Sequence, residues 1–211
     1  MAEELIFYTN PMSRGQIVRW MLEEVGAPYQ TNILGYGTSM KDEAYLAINP
    51  MGKVPAIVHN GKVVTECAAI CAYLADAFPS AGLAPATTDR ADYYRWLFFA
   101  AGPVEQAITA KHLGIEPDAD QQRSAGFGTL EHALDALESA VAGKTYVAGD
   151  RFTAADVYVG SQVDWGLQFG TIPSRPAFEA YAAGLRERTG YKAAKAIDNA
   201  LIAEMQAASP A

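Results

Sequence analysis

The chain has 211 residues, half of them hydrophobic, and carries 16 basic against 24 acidic side chains, which gives a formal net charge of −8 and a pI near 4.9. This composition allows one large hydrophobic core or two smaller ones, and the acidic balance argues against a general binder of nucleic acid or anionic membranes, since both need a basic face. No apolar run approaches the ~18 residues of a membrane span and residues 1–4 lack the basic start of a signal peptide, so we expect a soluble, cytoplasmic protein.

The first third of the chain predicts a small mixed sheet flanked by helices. Strands are predicted from short β-prone apolar runs, and the first helix from apolar residues that recur on one helical face. The predicted strands cover 5–9, 30–33, 54–58 and 63–65, with an Asn60-Gly61 hairpin turn, and the main predicted helices cover 13–26 and 66–78. The resulting order, β-α-β-α-β-β-α, is that of a thioredoxin-like domain, which we place at residues 1–79.

The strongest functional signal is the run Asn49-Pro50-Met51-Gly52-Lys53-Val54-Pro55-Ala56-Ile57. Pro55 must lie at the edge or entry of its strand, because proline cannot donate to a sheet ladder. A cis peptide bond before Pro55 would leave the N–H and C=O of Val54 free to pair with an extended peptide. Glu66 and Cys67 then open a helix whose backbone N–H groups favour a carboxylate, while the Glu66 side chain can accept from an α-ammonium. A small anionic peptide with one free amine fits this arrangement.

The two cysteines of the chain, Cys67 and Cys71, lie four residues apart on one predicted helix. Adjacent helical turns hold their side chains in an unfavourable geometry for a disulfide, and no Cys/His cluster has the spacing of metal ligands. We therefore expect a reduced protein without bound metal.

Strand signals disappear after a linker at residues 80–88, and the remainder, 89–211, predicts an all-helical domain. The predicted helices cover 89–112, 120–142, 153–168, 175–188 and 190–207. Thr153 and Asp156 form a predicted capping box at the start of the third of these helices, and we assign that motif to folding rather than to chemistry.

Three motifs occur here in the order found in one protein family: the Asn-Pro-x-Gly-x-Val-Pro-Ala block, the Glu66-Cys67 pair and Phe152-Thr153-Ala154-Ala155-Asp156. On these motifs the whole chain resembles the soluble, cytosolic-type glutathione S-transferases, as a bacterial, serine-type member. The resemblance implies the glutathione transferase fold, an α/β thioredoxin-like N-terminal domain that binds glutathione and an all-α C-terminal domain that contributes the electrophile pocket. It also implies a detoxification enzyme that conjugates the glutathione thiolate to small hydrophobic electrophiles, works as a homodimer and needs no metal, nucleic acid or membrane.

The resemblance places the thiolate-stabilising group on the loop before the first helix. A free thiol titrates near ~8.5, and lowering its pKa by about two units takes roughly 2.7 kcal/mol, which one hydroxyl with help from a helix N-terminus can supply. Ser13 matches the position of the activating serine, although Ser13 and Gln16 can also be interpreted as a plain capping box. Tyr8, Thr9 and Asn10 are the alternatives, with a core role favoured for Tyr8.

The other glutathione contacts also follow from the resemblance. Val54 would pair its backbone with the cysteinyl moiety, Pro55 would be the cis proline, and Glu66 with residue 67 would hold the γ-glutamyl end. A thiol at Cys67, where the family usually has serine, is a poorer donor, so either the backbone N–H makes this contact or the affinity for glutathione is lower. The predicted glutathione-binding residues are thus Lys53, Val54, Pro55, Glu66, Cys67 and Lys41, with the two lysines candidates for the glycyl carboxylate or for solvated surface positions.

The electrophile pocket is expected to combine the Ser13 loop with aromatic residues of the helical part. For each aromatic residue the alternative is a place in the core of the helical bundle. The predicted lining is Met12, Tyr93, Trp96, Trp165 and Phe169. Two other functions stay open, a non-catalytic glutathione-binding or assembly module of the same fold, and another glutathione-dependent reaction such as peroxide reduction, dehalogenation or isomerisation. No cysteine lies on the loop before the first helix, which disfavours a mixed-disulfide mechanism.

Overall fold

In the computed structural model, which describes residues 4–208, contacts divide the chain into two units. The sheet unit consists of the residues up to Leu83 together with those from Glu187 onward. The helical unit consists of Ala84–Arg186. No helix within the described residues is long and apolar enough to cross a membrane.

The sheet unit is built on strands in the order β2-β1-β3-β4. They are β1 (Leu5–Thr9), β2 (Gln30–Ile33), β3 (Ala56–His59) and β4 (Lys62–Thr65). β1 pairs in parallel with β2 and antiparallel with β3, which in turn pairs antiparallel with β4. Leu5, Phe7 and Thr9 of β1 are buried, which is the period of two expected of a strand. Asn60 and Gly61, both with positive φ, form the predicted hairpin turn.

Helices follow the strands in the predicted thioredoxin-like order. Along the chain they are α1 (Gly15–Val25), α2 (Glu43–Leu46), α3 (Cys67–Ala77), α4 (Ala91–Phe99), α5 (Glu105–His112), α6 (Leu130–Val141), α7 (Ala154–Phe169), α8 (Pro176–Arg186) and α9 (Thr189–Ala208). α1 buries its predicted apolar face against α3 and the sheet. The order β1-α1-β2-α2-β3-β4-α3 confirms the fold predicted for the N-terminal part.

The last helix, α9, belongs to the sheet unit because it packs along α1. Arg19 Nε of α1 lies 3.2 Å from Asp198 Oδ1 of α9, and each side chain is only 2% exposed. The ring of Tyr191 meets Trp20 edge to face at 5.1 Å. The predicted helical domain runs from 89 to 211, whereas the structure groups the residues from Glu187 onward with the sheet unit, since α9 covers a face of α1.

Two predicted helices of the helical unit differ from the regular α-helices that their sequence patterns suggest. The predicted helix 89–112 is interrupted by a π-helical turn at Ala100–Val104, which contains Pro103. Proline lacks the N–H of a regular helical turn and clashes with the preceding turn, so the helix widens there. The predicted helix 120–142 begins only at Leu130, because Gly128 has a positive φ and Thr129 caps the helix with its side chain.

The predicted capping box at the start of α7 is present. Asp156 Oδ2 accepts from the backbone N–H of Thr153 at 2.9 Å, while Oδ1 accepts from the backbone N–H of Val147 at 2.7 Å and from Tyr181 Oη at 2.8 Å. Burial raises the pKa of Asp156 and the pKa of Tyr181. Asp156 therefore joins α7, α8 and the preceding turn, which agrees with a folding role.

Candidate functional site

The register of the sheet brings the predicted glutathione-binding segments to one edge. Tyr8 pairs with Ala56, and Ala56 pairs with Thr65. Because β3 runs antiparallel to both neighbours, the segments that follow β1 and β4 lie beside the segment that precedes β3. The segments that meet here are residues 10–14, here called the Ser13 loop, residues 54–55, and residues 66–67.

Ser13 sits half-buried in its loop, with its hydroxyl in two hydrogen bonds. Ser13 Oγ donates to the carbonyl of Asn10 at 2.6 Å and accepts from the backbone N–H of Gly15 at 2.9 Å. The alternative capping box is present only in part. Ser13 Oγ satisfies the backbone N–H of Gly15 at the start of α1, but the Gln16 side chain donates to the carbonyl of Pro11 instead of returning to Ser13. A side chain at position 15 would overlap Thr9 Oγ1, so glycine is required where the helix approaches β1.

The three alternatives to Ser13 are held more firmly than Ser13 by burial, hydrogen bonds or ring packing. Asn10 is buried, its amide donating to the carbonyl of Leu34 at 2.8 Å and accepting from the backbone N–H of Met12 at 2.9 Å. Thr9 is completely buried. The Tyr8 ring packs 5.5 Å from the ring of Tyr45. Of these four residues, Ser13 is the one that lies in the loop and carries a hydroxyl partly exposed to solvent.

The Val54–Pro55 peptide bond is cis, as predicted. Within the described residues, neither the N–H nor the C=O of Val54 has a hydrogen-bond partner. The preceding carbonyl, that of Lys53, accepts from Tyr45 Oη and from Asn49 Nδ2, the latter at 2.8 Å. The backbone on the N-terminal side of Val54 is therefore fixed, while Val54 itself presents a donor and an acceptor in the manner of an edge strand.

The two predicted lysines occupy different settings. Lys41 Nζ donates to the carbonyls of Gly52 at 2.9 Å and Met51 at 3.4 Å, so it stabilises the turn before Val54. Both lysines are exposed, but within the described residues the structure shows no such contact for the Lys53 ammonium. The geometry therefore favours Lys53 over Lys41 for contact with an external carboxylate.

Glu66 and Cys67 form the N-terminus of α3. Glu66 is exposed and adopts φ 68° and ψ 120°, an uncommon conformation for a residue other than glycine. Cys67 Sγ lies 3.6 Å from the carbonyl of Arg14, which brings this helix start against the Ser13 loop. Cys71 is fully buried one turn later, and burial raises the pKa of its thiol.

Two family models match the chain. Residues 12–77 match "Glutathione S-transferase, N-terminal domain", and residues 120–165 match "Glutathione S-transferase, C-terminal domain". A glutathione S-transferase of Xanthomonas campestris, GST-4.5, is 30% identical over 77% of this chain and 83% of its own, and glutathione S-transferase 3 of Zea mays is 33% identical over 72% of this chain and 73% of its own. The chain belongs to the glutathione S-transferase family.

A solved structure agrees with this family. A sphingomonad glutathione S-transferase in complex with glutathione is 28% identical, with a TM-score of 0.74, and the similarity covers 92% of this chain and 98% of that chain. The predicted glutathione transferase fold is thereby confirmed, and so is the activity class, that of a glutathione transferase.

The predicted electrophile residues of this transferase differ in exposure. Met12, in the sheet unit, is 52% exposed, and Phe169, at the end of α7, is 68% exposed. Tyr93 and Trp96 are buried in the helical unit, and Trp165 is half-buried with its ring 6.3 Å from that of Phe169. A pocket-lining role for these residues stays a prediction.

Sequence reasoning missed several residues that shape the site. Asn49 folds the turn before Val54, accepting from the backbone N–H of Met51 at 3.1 Å besides donating to Lys53. Tyr36 Oη donates to the carbonyl of Met12 at 3.2 Å, and Gln16 donates to the loop instead of completing a capping box. Asn49 lies inside the recognised sequence block and could have been found there, but no local pattern indicated the other two.

Proposed function

We propose that this transferase binds glutathione along the edge formed by the Ser13 loop, Val54 and the start of α3, and conjugates its thiolate to small hydrophobic electrophiles. The observation that supports this most directly is the register that aligns Tyr8, Ala56 and Thr65, since it brings the three segments together. Each segment offers groups that suit a different part of the tripeptide.

The backbone of glutathione would add to the sheet at Val54. The N–H and C=O of Val54 supply the main-chain hydrogen bonds of an added strand, next to Pro55 at the entry of β3. Lys53, exposed beside them, is placed to attract the glycyl carboxylate. The cysteinyl moiety would then lie at Val54, toward the Ser13 loop.

The γ-glutamyl end would bind at the start of α3. The N–H groups of the first turn and the helix dipole favour its carboxylate, and the exposed Glu66 carboxylate favours its ammonium. Cys67 is 8% exposed and directs its sulfur toward the Arg14 carbonyl. We therefore assign the carboxylate contact at position 67 to the backbone N–H.

Ser13 would stabilise the thiolate by turning its hydroxyl from the Asn10 carbonyl to the sulfur. This exchanges a neutral hydrogen bond, worth about 0.5–1.5 kcal/mol, for one to a charged acceptor, worth about 1.5–3 kcal/mol. The Gly15 N–H holds Ser13 Oγ in place through this rotation. Stabilisation of the thiolate together with proximity of the electrophile would account for the rate.

Several predicted electrophile residues expose apolar surface. Met12 and Phe169 would contact an electrophile with their exposed side chains, and Trp165 with the exposed part of its ring. Tyr93 and Trp96 are buried and would act from the core.

We propose a cytoplasmic homodimer that uses no metal. The net charge of −8 supports neither nucleic acid nor an anionic membrane as a partner.

The proposal is tested by titrating the protein with glutathione and recording ultraviolet thiolate absorbance across pH. In wild type we expect the thiol pKa to fall by about two units from ~8.5, and in Ser13→Ala to rise again by about one unit, the net gain of the hydrogen-bond exchange. Ser124→Ala, which removes an exposed hydroxyl of the helical unit, is the matched control. A thiolate that survives Ser13→Ala would assign the role to a neighbouring group, and binding without thiolate in wild type would indicate a non-catalytic module.

A further inference from the structure

The Pro11–Met12 peptide group in the Ser13 loop is held from both sides. The backbone N–H of Met12 donates to Asn10 Oδ1 at 2.9 Å, and the carbonyl of Pro11 accepts from Gln16 Nε2 at 2.6 Å. Ser13 follows directly, so the orientation of this peptide group determines where the Ser13 backbone begins.

Gln16 connects this peptide group to the C-terminal helix. Its Oε1 accepts from Lys195 Nζ of α9 at 3.0 Å, while its Nε2 donates to Pro11. The ammonium of Lys195 can only donate and the carbonyl of Pro11 can only accept, so just one orientation of the Gln16 amide satisfies both neighbours. A chain of two hydrogen bonds therefore runs from α9 to the Ser13 loop within the sheet unit.

Lys195, the residue of α9 in these two hydrogen bonds, is itself held by neighbouring side chains. Lys195 Nζ lies 5.6 Å from the centre of the Tyr191 ring, which packs edge to face on Trp20. The buried Arg19–Asp198 pair lies on the same pair of helices. Lys195 thus presents its ammonium to Gln16 from a helix that is anchored to α1 at several points.

We propose that Gln16 and Lys195 are positioning residues, through which α9 holds the Ser13 hydroxyl in place for the glutathione thiolate. The inference rests on the proposed function of Ser13. It gives α9, the last described element of the chain, a role in the chemistry of the Ser13 loop through a hydrogen bond between residues that are 179 positions apart.

The test compares Gln16→Leu, Gln16→Glu and Lys195→Met with the control Lys192→Met, which removes an exposed lysine of α9 that pairs with Glu187. Gln16→Glu keeps an acceptor for Lys195 but loses the donor to Pro11, so it separates the two hydrogen bonds. For the first three variants we expect the pKa of bound glutathione to rise by about half to one unit and kcat/KM at neutral pH to fall about three- to tenfold. Lys192→Met should match wild type, and thermal unfolding verifies that all variants are folded.

Coupling to Ser13 is measured in the Ser13→Ala background, where Gln16→Leu should no longer change the thiol pKa. An unchanged thiol pKa in Gln16→Leu, or an equal rise with and without Ser13, overturns the inference while the proposed function stands. If Ser13→Ala alone leaves the thiol pKa unchanged, the proposed function fails, and amide exchange decides the positioning role. The Met12 and Ser13 amides must then exchange faster in Gln16→Leu than in Lys192→Met, and equal rates overturn the inference.

Discussion

At the scale of single residues, Glu66 combines a ligand group with an unfavourable backbone. Its φ of 68° and ψ of 120° lie where a residue with a Cβ carries a cost of about 1–3 kcal/mol. The same residue places a carboxylate at the start of α3 beside the proposed γ-glutamyl site. The unfavourable backbone conformation therefore lies at the residue whose carboxylate we propose for glutathione binding.

Two substitutions at Glu66 separate these effects, since both remove the carboxylate but only one relieves the backbone. We expect Glu66→Gly to be more stable than Glu66→Ala by about 1 kcal/mol, after the greater flexibility of unfolded glycine is allowed for. Glutathione affinity should fall equally in both. Urea unfolding and calorimetric titration measure the two quantities, and equal stabilities of the two variants would show that the backbone at position 66 is unstrained.

The phenol of Tyr29 should make the stability of the protein depend on alkaline pH. Burial raises the pKa of Tyr29 to about 12, with Arg19 Nη1 donating to its oxygen and the phenol donating to Glu23. An unfolded tyrosine titrates near ~10, so above this pH the unfolded chain loses the proton first. The contribution of Tyr29 to stability should be constant below pH ~10 and should be lost as the pH rises toward 12.

The Tyr29→Phe variant isolates this contribution, because all other groups titrate alike in the two proteins. We expect the free energy of unfolding of wild type, relative to Tyr29→Phe, to be constant at neutral pH and to fall in the alkaline range. A constant difference across that range would mean that Tyr29 titrates alike in the folded and unfolded chains.

At the scale of elements, α1 and α9 are joined by a buried ion pair. Arg19 also donates to Thr31 Oγ1 at 3.0 Å and lies over the ring of Phe7 at 5.0 Å, so its charge is shared among several neighbours. Burial raises the pKa of Asp198, against the opposing effect of Arg19. Such a pair contributes little net stability, but removing only one partner destabilises the protein strongly, because it leaves an unpaired buried charge.

We expect Asp198→Leu to destabilise the protein by about 3–5 kcal/mol, because Arg19 is left buried without a counter-charge. The double variant Arg19→Met with Asp198→Leu should lose much less than the sum of the single variants. The matched control is the Arg175–Asp135 pair, whose aspartate is 57% exposed and whose removal should cost about 0–1 kcal/mol. Chemical unfolding of both cycles gives the coupling energies, and similar values for the two pairs would contradict the prediction.

Local patterns at the element scale predicted most strands and helices, since the alternation in β1 and the apolar face of α1 are properties of adjacent residues. They missed the π-helical turn at Pro103, and they failed before Gly128, where the backbone ends the predicted helical pattern. At the candidate site, motifs predicted the cis bond before Pro55 and the position of Glu66 at the start of α3, while the binding roles stay predictions. The contact of Gln16 with Lys195 was not predictable, because it depends on how two distant helices pack.

At the scale of the whole molecule, the sheet unit is discontinuous in sequence. The helical unit is inserted between α3 and α9, and the residues from Glu187 onward return to the unit that contains β1. The stability of the proposed thiolate site and that of α9 are therefore properties of the same unit.

Ending the chain at Arg186 should consequently weaken the sheet unit selectively. We expect amide hydrogens of β1 and β3 to exchange much faster than in the full chain, because the α1 face that α9 covers becomes exposed. Amides of α6 and α7, which lie in the helical unit, should keep their protection. Exchange measured by mass spectrometry distinguishes this from an equal loss in both units, which would indicate one cooperative structure.

The discontinuous sheet unit also fixes an order of events during protein synthesis. A ribosome that has completed α3 must still translate the whole inserted helical unit before α9 emerges, which takes roughly 5–20 s at about 5–20 residues per second. Through this interval α1 has no α9 to pack against, and Gln16 has no Lys195. The proposed support of Ser13 by Lys195 therefore becomes available only after α9 has left the exit tunnel, and a chain released before α9 lacks it.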